Sequence, residues 1–246
     1  ARSQLHVRYT SLEDEIQEDF KAVGFLRDDD RKEWDTNLRH EFWFEQGVFE
    51  QIEPSVNYNR YYSQDGVLRS WRLDASIDVT LRSGWEFEYQ HLEEFKLFEK
   101  EFRNDRDRVE VEWDARDGRR VYVYYSKGFN YDSDLTLYGA GVRWPVGDKW
   151  RFDYNLTKLK LEPDPDGDST TIHVFETIYA FNPDMYAKLF LQTNSAIDKE
   201  NVQALWVWRF KPPFGSLQLA YQRGTSEQGQ ESEQDDTLFS KLAWVF

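Results

Sequence analysis

Between positions 72 and 82 the chain reads Arg-Leu-Asp-Ala-Ser-Ile-Asp-Val-Thr-Leu-Arg. A period of two puts Leu73, Ala75, Ile77, Val79 and Leu81 on one face and Arg72, Asp74, Ser76, Asp78, Thr80 and Arg82 on the other. A helix would scatter both sets around its axis, so this stretch is an amphipathic strand. The same alternation recurs at 85–89, 109–113 and 150–156, and again at 201–210, where Val202, Ala204, Trp206, Trp208 and Phe210 share a face opposite Gln203, Leu205, Val207 and Arg209.

By this pattern the chain holds about fourteen strand segments: 4–11, 34–46, 48–62, 68–82, 85–99, 107–115, 119–129, 134–145, 149–161, 170–181, 185–195, 200–210, 215–223 and 237–246. Their connections alternate in kind. Gln46-Gly47, Ser83-Gly84, Asp117-Gly118, Val146 to Asp148, Asn182 to Asp184 and Lys211 to Gly215 carry tight-turn chemistry. Longer polar connections lie between them, notably 12–33, 100–106, 162–169 and 224–236. Phe95, Leu97 and Phe98 interrupt the alternation and predict a bulge or a partner contact.

Two classes of fold accept such strands. A soluble barrel or sandwich buries its apolar face; an outer-membrane barrel shows that face to lipid. The polar faces here are dense with charge, and many apolar faces end in Trp, Tyr or Phe, as an interfacial girdle requires. The chain also ends in Leu242-Ala-Trp-Val-Phe246, an ending similar to the signal by which outer-membrane barrels are handed to their assembly machinery. The expected fold is therefore all-β: a transmembrane antiparallel up-and-down β-barrel of about 14 strands, with short periplasmic turns and longer external loops. The whole chain, 1–246, reads as one barrel domain, and the expected location is the outer membrane of a Gram-negative bacterium.

Composition removes several functions. Lys plus Arg number 31 against 46 Asp plus Glu, a net charge of −15 that excludes a phosphate-seeking nucleic-acid binder. With 42 aromatic residues (10 Trp, 14 Tyr and 18 Phe), the chain is not a disordered acidic tail. It has no cysteine, and hence no disulfide, thiolate metal site or cysteine nucleophile. The longest apolar runs, among them 204–208 and 242–246, fall far short of the ~20 residues of a membrane helix. There is no basic-then-apolar start, so Ala1 is expected to begin a mature chain after signal removal or a fragment of something longer.

If lipid meets the apolar faces, the polar faces line a lumen. Its expected lining is Arg39, Glu41, Arg72, Asp74, Asp78, Arg82, Glu86, Glu88, Arg108, Glu110, Glu112, Arg120, Arg151, Asp153, Arg209 and Lys241. Such mixed charge either sets a field across a pore or cross-links into ion pairs that close it. Trp71, Trp85, Trp113, Trp144, Trp150, Trp206, Trp208, Trp244 and Phe246 are the expected membrane-interface aromatics. Tyr122, Tyr124 and Trp43 would suit passage of sugars if their register is lumenal.

Chemistry is sparse. His6, His40, His91 and His173 form no helical metal pattern, and an embedded hydrolase would need one of them to meet a Ser or Asp at the outer rim. Asp164, Asp166 and Asp168 flank Gly167 as weak calcium ligands without the distal Glu of a full loop, and Pro-Asp-Gly is first a turn sequence. The acidic stretch 226–236 is a solvated loop or a cation-preferring vestibule. No catalytic residue, metal or cofactor is expected.

Particular residues resemble a family. Tyr9 to Phe20 (YTSLEDEIQEDF), followed by Val23-Gly-Phe-Leu-Arg27, looks like a passage of a poorly characterised group of bacterial outer-membrane proteins in which a carbohydrate-binding-module-family-9-like domain precedes a large C-terminal barrel. The segments 181–194, 201–209 and 215–221 and the final strand resemble that family's closing hairpins. The resemblance implies an outer-membrane location and an association with surface glycan handling through a domain that these residues do not include. Family members have strand-rich sequence upstream, which leaves two arrangements, an independent barrel or the C-terminal part of a larger one. The functions expected are a porin-like channel for small hydrophilic solutes or oligosaccharides, or a non-conducting barrel anchoring a partner protein or a surface glycan-binding domain. Outer-membrane lipid, the barrel-assembly machinery through the C-terminal strand, and another outer-membrane or periplasmic protein are the expected partners.

Overall fold

A computed structural model describes residues 1–12, 30–164, 169–196, 199–211, 215–224 and 236–244. Among these residues every regular element is a strand. In chain order they are β1 (Arg2–Leu12), β2 (Arg31–Trp43), β3 (Phe49–Tyr62), β4 (Leu68–Leu81), β5 (Trp85–Leu97), β6 (Glu101–Asp114) and β7 (Arg120–Asn130). The second half comprises β8 (Ser133–Val146), β9 (Trp150–Glu162), β10 (Thr170–Asn182), β11 (Met185–Asn194), β12 (Lys199–Lys211), β13 (Gly215–Arg223) and β14 (Asp236–Trp244). They follow one another in a 14-stranded sheet in sequence order, an up-and-down meander. No described helix is long and apolar enough to cross a membrane, which says nothing of strands.

The chain divides into two units, 1–111 with 125–136, and 112–124 with 137–246. In the first, the ladders β1–β2, β2–β3, β3–β4 and β4–β5 are antiparallel, and their register keeps the two kinds of side chain apart. Leu5, Leu38, Val56 and Ala75 form one row across four strands; His6, Asn37, Asn57 and Asp74 form the neighbouring row on the opposite face. A slip of one residue in any of these ladders would exchange the faces. In the second unit, β9 to β14 pair in the same manner, with Trp150 opposite Tyr179 and Trp206 opposite Leu219.

Burial runs opposite to that of a soluble domain. Among the described residues the buried hydrophobics are Leu92, Phe95 and Val207, whereas Glu33, Glu53, Glu94, Asn104 and Glu112 are buried. Leu5, Trp34, Val56, Ile77, Phe87, Val123 and Leu242 are exposed. The cohesion of the sheet therefore lies in its backbone ladder and its polar face.

The tight turns fall where the sequence puts them. Gly84 and Gly118 have φ of 85° and 91°, a region that costs other residues strain. At the 115–119 turn, Arg119 Nε donates to both carboxylate oxygens of Asp117, at 3.0 and 2.8 Å, and this hydrogen bonding holds Asp117 below its ordinary value of 3.8. A depressed carboxylate contributes stability above its unfolded-state pKa and loses it as pH falls through the folded value. Arg119→Ala is expected to move the Asp117 titration, followed by carboxyl NMR, back up toward 3.8.

Three expectations change. Residues 100–106 are not a loop: β6 begins at Glu101, and 98–100 alone join it to β5. Connections on that rim are accordingly mixed, with 13–30, 163–169 and 224–235 long but 63–67, 98–100 and 131–132 short. The β4–β5 ladder shows no bulge near Phe95: β5 pairs with β4 without a shift as far as Lys96, Phe95 stands opposite Trp71, and Phe98 lies beyond the strand. Register shifts occur instead at Phe49/Gln51, Tyr61/Tyr62, Ala180/Asn182 and Trp208/Lys211.

Candidate functional site

The polar face of β1 to β6 is the most densely bonded surface of the first unit. Glu53 on β3 accepts from Arg39 Nη2 at 2.5 Å and from Gln51 at 2.8 Å, while Glu41 lies 3.7 Å from Arg39 Nε. Asp78 stands opposite both Glu53 and Glu88, and Glu86 stands opposite Thr80. Arg72 bonds Asp74 at 3.0 Å, Gln90 donates to Asp74 at 2.8 Å, and Arg108 bonds Glu110. Many of these pairs join residues two apart on one strand: Arg31 with Glu33, Arg39 with Glu41, Arg72 with Asp74, Glu94 with Lys96 and Arg108 with Glu110. Alternation brings i and i+2 to the same face, so an Arg-x-Glu spacing was the signal that would have found them.

In the second unit Arg120 grips Glu112 with Nε at 2.5 Å and with Nη2. Asp153 accepts from Arg143 at 2.5 Å and Arg151 at 3.1 Å, and Glu176 joins Arg151 to Lys188 at 3.2 and 2.6 Å. Arg143, Glu176 and Lys188 were absent from the sequence-based set. Glu112 is 8% exposed. Arg120→Ala leaves that carboxylate without its cation and is expected to cost about 1–3 kcal/mol, read from urea unfolding in detergent.

Tyr122 and Tyr124 share this face, but not as a free aromatic ladder. Their rings are stacked at 6.3 Å, and a Cβ on Gly141 or Gly139 would strike them. The Tyr122 hydroxyl donates to Asn155 Oδ1 at 2.6 Å, and that of Tyr124 is 3.0 Å from Thr157 Oγ1. The rings are thus wall material covering glycines. Trp43 pairs with Gln51 on the polar face, and its Nε1 donates to Glu41 at 3.3 Å.

One expected lining residue lies elsewhere. Arg82 follows the end of β4, and its guanidinium donates to the carbonyls of Gly47 (3.2 Å) and Phe44, tying two turns together. Arg209 sits in the register shift after Trp208, so pairing does not fix its face. Lys241 stands opposite Gln218. On the polar face of β10 to β13, Ile178 and Ala220 join the expected Leu205 and Val207 beside Glu176 and Lys188, and Val207 is 3% exposed.

The expected interface aromatics that are described gather on the apolar face. Near the tight turns, Trp85 opens β5, Trp113 lies 6.4 Å from Trp144, and Arg119 covers both rings. Trp150 meets Tyr179 at 4.5 Å, Trp206 lies 6.3 Å from Trp208, and Trp244 lies 5.4 Å from Phe210. Near the other strand ends, Trp71 stands opposite Phe95 and Trp34 lies 4.8 Å from Tyr9. Phe246, Asp166, Asp168, most of 226–236 and the Glu13 to Arg27 part of the resembling passage lie outside the described residues.

Histidines do find partners. Ser3 Oγ is 2.6 Å from His40 Nδ1, at the end of β1 that pairs with the turn end of β2, away from the long connections. His91 Nδ1 is 2.8 Å from Asp107, which also accepts from Tyr89, and His173 meets Tyr154 at 2.8 Å. Among the described residues no Ser, His and acid meet as a relay, and no three His, Asp or Glu side chains are placed to hold a metal ion.

No family model and no curated protein matches this chain. Solved structures similar to it include the NanC porin, at 11% identity and a TM-score of 0.35, covering 87% of this chain and 94% of that one. A mutant Rh. blastica porin is similar at 9% identity and a TM-score of 0.34, covering 97% and 98%. Scores this low assign nothing to the present chain.

Proposed function

We propose that the chain is an outer-membrane β-barrel of a Gram-negative bacterium that passes small hydrophilic solutes or oligosaccharides. The observation that carries this reading is the inverted burial: acids such as Glu33, Glu53, Glu94 and Glu112 are withdrawn from solvent while Leu5, Val56, Ile77 and Leu242 face outward. Charged side chains are rarely buried unless paired, and a broad apolar face needs a covering. Lipid supplies the covering, and an antiparallel sheet in lipid satisfies its edge groups by closing. The polar faces then line the lumen. The tryptophans near the strand ends anchor at the headgroups.

Catalysis plays no part in this reading. The assembly machinery is the partner of β14, and the link to surface glycan handling rests on the family resemblance alone. Single-channel recording of the refolded chain in a planar bilayer, with heat-modifiable gel mobility as the folding control, tests the proposal. Steady conductance is expected.

A second reading is favoured by the apolar share of the polar face in β10 to β13, where Val207 is already buried. It makes the chain a non-conducting barrel that anchors a partner protein or a glycan-binding domain. A folded chain that never conducts selects it.

A further inference from the structure

The polar face of the first unit holds a cavity of about 620 Å³ at the end away from the tight turns, lined by Arg31, Arg69, Arg72 and Lys96 together with Asp30 and Glu94. A recess of about 130 Å³ adjoins it through Arg72, Glu94 and Lys96, and adds Arg106 and Asp105. Five cations therefore border the two spaces against three acids, in a chain whose net charge is −15.

Much of this charge is already answered. Arg31 is paired with Glu33, Arg72 with Asp74, and Lys96 with Glu94, which also accepts from Asn104 at 2.8 Å. Two cations stand out. Arg69 reaches Asp30 only at 3.9 Å. Arg106 makes no hydrogen bond or ion pair with any described residue, and its Nε is buried without a partner. An unanswered guanidinium beside a polar cavity is a poised bidentate donor for a carboxylate. Neutral groups that suit hydroxyls line the two spaces: Asn59, Tyr61 and Ser70 in the cavity and Asn130 in the recess. The larger space lies within the range that holds small ligands.

We propose that the cavity and its adjoining recess together capture a carboxylate-bearing saccharide of one or two rings, with Arg106 and Arg72 taking the carboxylate in the recess and Arg69 at the rim of the cavity. The proposal rests on the channel reading for its biological use, but not for its chemistry. A cation-lined entrance concentrates anions and favours them over neutral sugars of the same size.

The test is calorimetric titration of the full refolded chain in detergent with lactobionate and with lactose, an acidic and a neutral sugar of similar size. Lactobionate is expected to bind at least about tenfold more tightly, the gap of one charge-assisted hydrogen bond, and to lose that advantage as salt rises. Arg106→Gln should remove about a tenfold share of lactobionate affinity and leave lactose unchanged, while Arg106→Lys keeps part of it. Arg69→Gln provides a second reading at the rim should position 106 prove intolerant. Equal affinity for the two sugars, or wild-type lactobionate affinity in both glutamine variants, overturns the proposal. A chain that binds lactobionate without conducting overturns the channel instead; one that conducts without discriminating overturns the recess.

Discussion

Ile77→Arg is expected to destabilise the folded protein by about 2–4 kcal/mol in lipid vesicles, measured by reversible denaturant unfolding. Ile77 lies on the apolar face between Pro54 and Tyr89, is 41% exposed, and has Val79 and Ala75 as its same-face neighbours along β4. No acid stands directly opposite it in either ladder, so an arginine there meets acyl chains at mid-strand. The paired control is Ser76→Arg, one residue away on the polar face, where Asp78 Oδ2 lies 3.4 Å from the Ser76 hydroxyl. That substitution should cost far less. Equal costs at 76 and 77 would refute the assignment of faces.

Gly141→Val should cost about 1–3 kcal/mol by overpacking, read by the same unfolding assay in detergent. A Cβ at this position runs into the Tyr122 ring and Asn155 Oδ1, two groups already bonded to each other at 2.6 Å. The valine must therefore displace a ring and break a hydrogen bond. Tyr122→Ala in the same chain should remove part of the penalty, because the ring is then no longer there to clash. Purely additive costs in that double-mutant cycle would show that the ring does not cover the glycine.

β4 was legible because every position from 72 to 82 alternates without exception, and its pairing with β5 needed no shift. The beginning of β6 was not legible, because its Arg103, Asp105 and Asp107 are polar where the apolar face calls for hydrophobes. The ladder there relies on groups the pattern does not register, such as the Asn104 side-chain Oδ1 accepting from the Tyr131 backbone amide and the Ser126 hydroxyl donating to the Asp107 backbone carbonyl. Ile178, Leu205 and Ala220 stood in the sequence as apolar residues on an otherwise polar face, but only register places them side by side. The cation-lined recess was equally hidden. Arg31, Arg72, Lys96 and Arg106 come from four different strands, and no spacing along the chain joins them.

The ion pairs between residues two apart have a consequence for assembly. Arg39 with Glu41, Arg72 with Asp74, Glu94 with Lys96, Arg108 with Glu110 and Arg151 with Asp153 each neutralise one another within a single strand. A strand so built carries its own counter-charge. It can join a growing sheet edge before the next strand arrives, without exposing an uncompensated charge to a low-dielectric surrounding. The order in which hairpins are added is then set by backbone pairing rather than by waiting for an electrostatic partner.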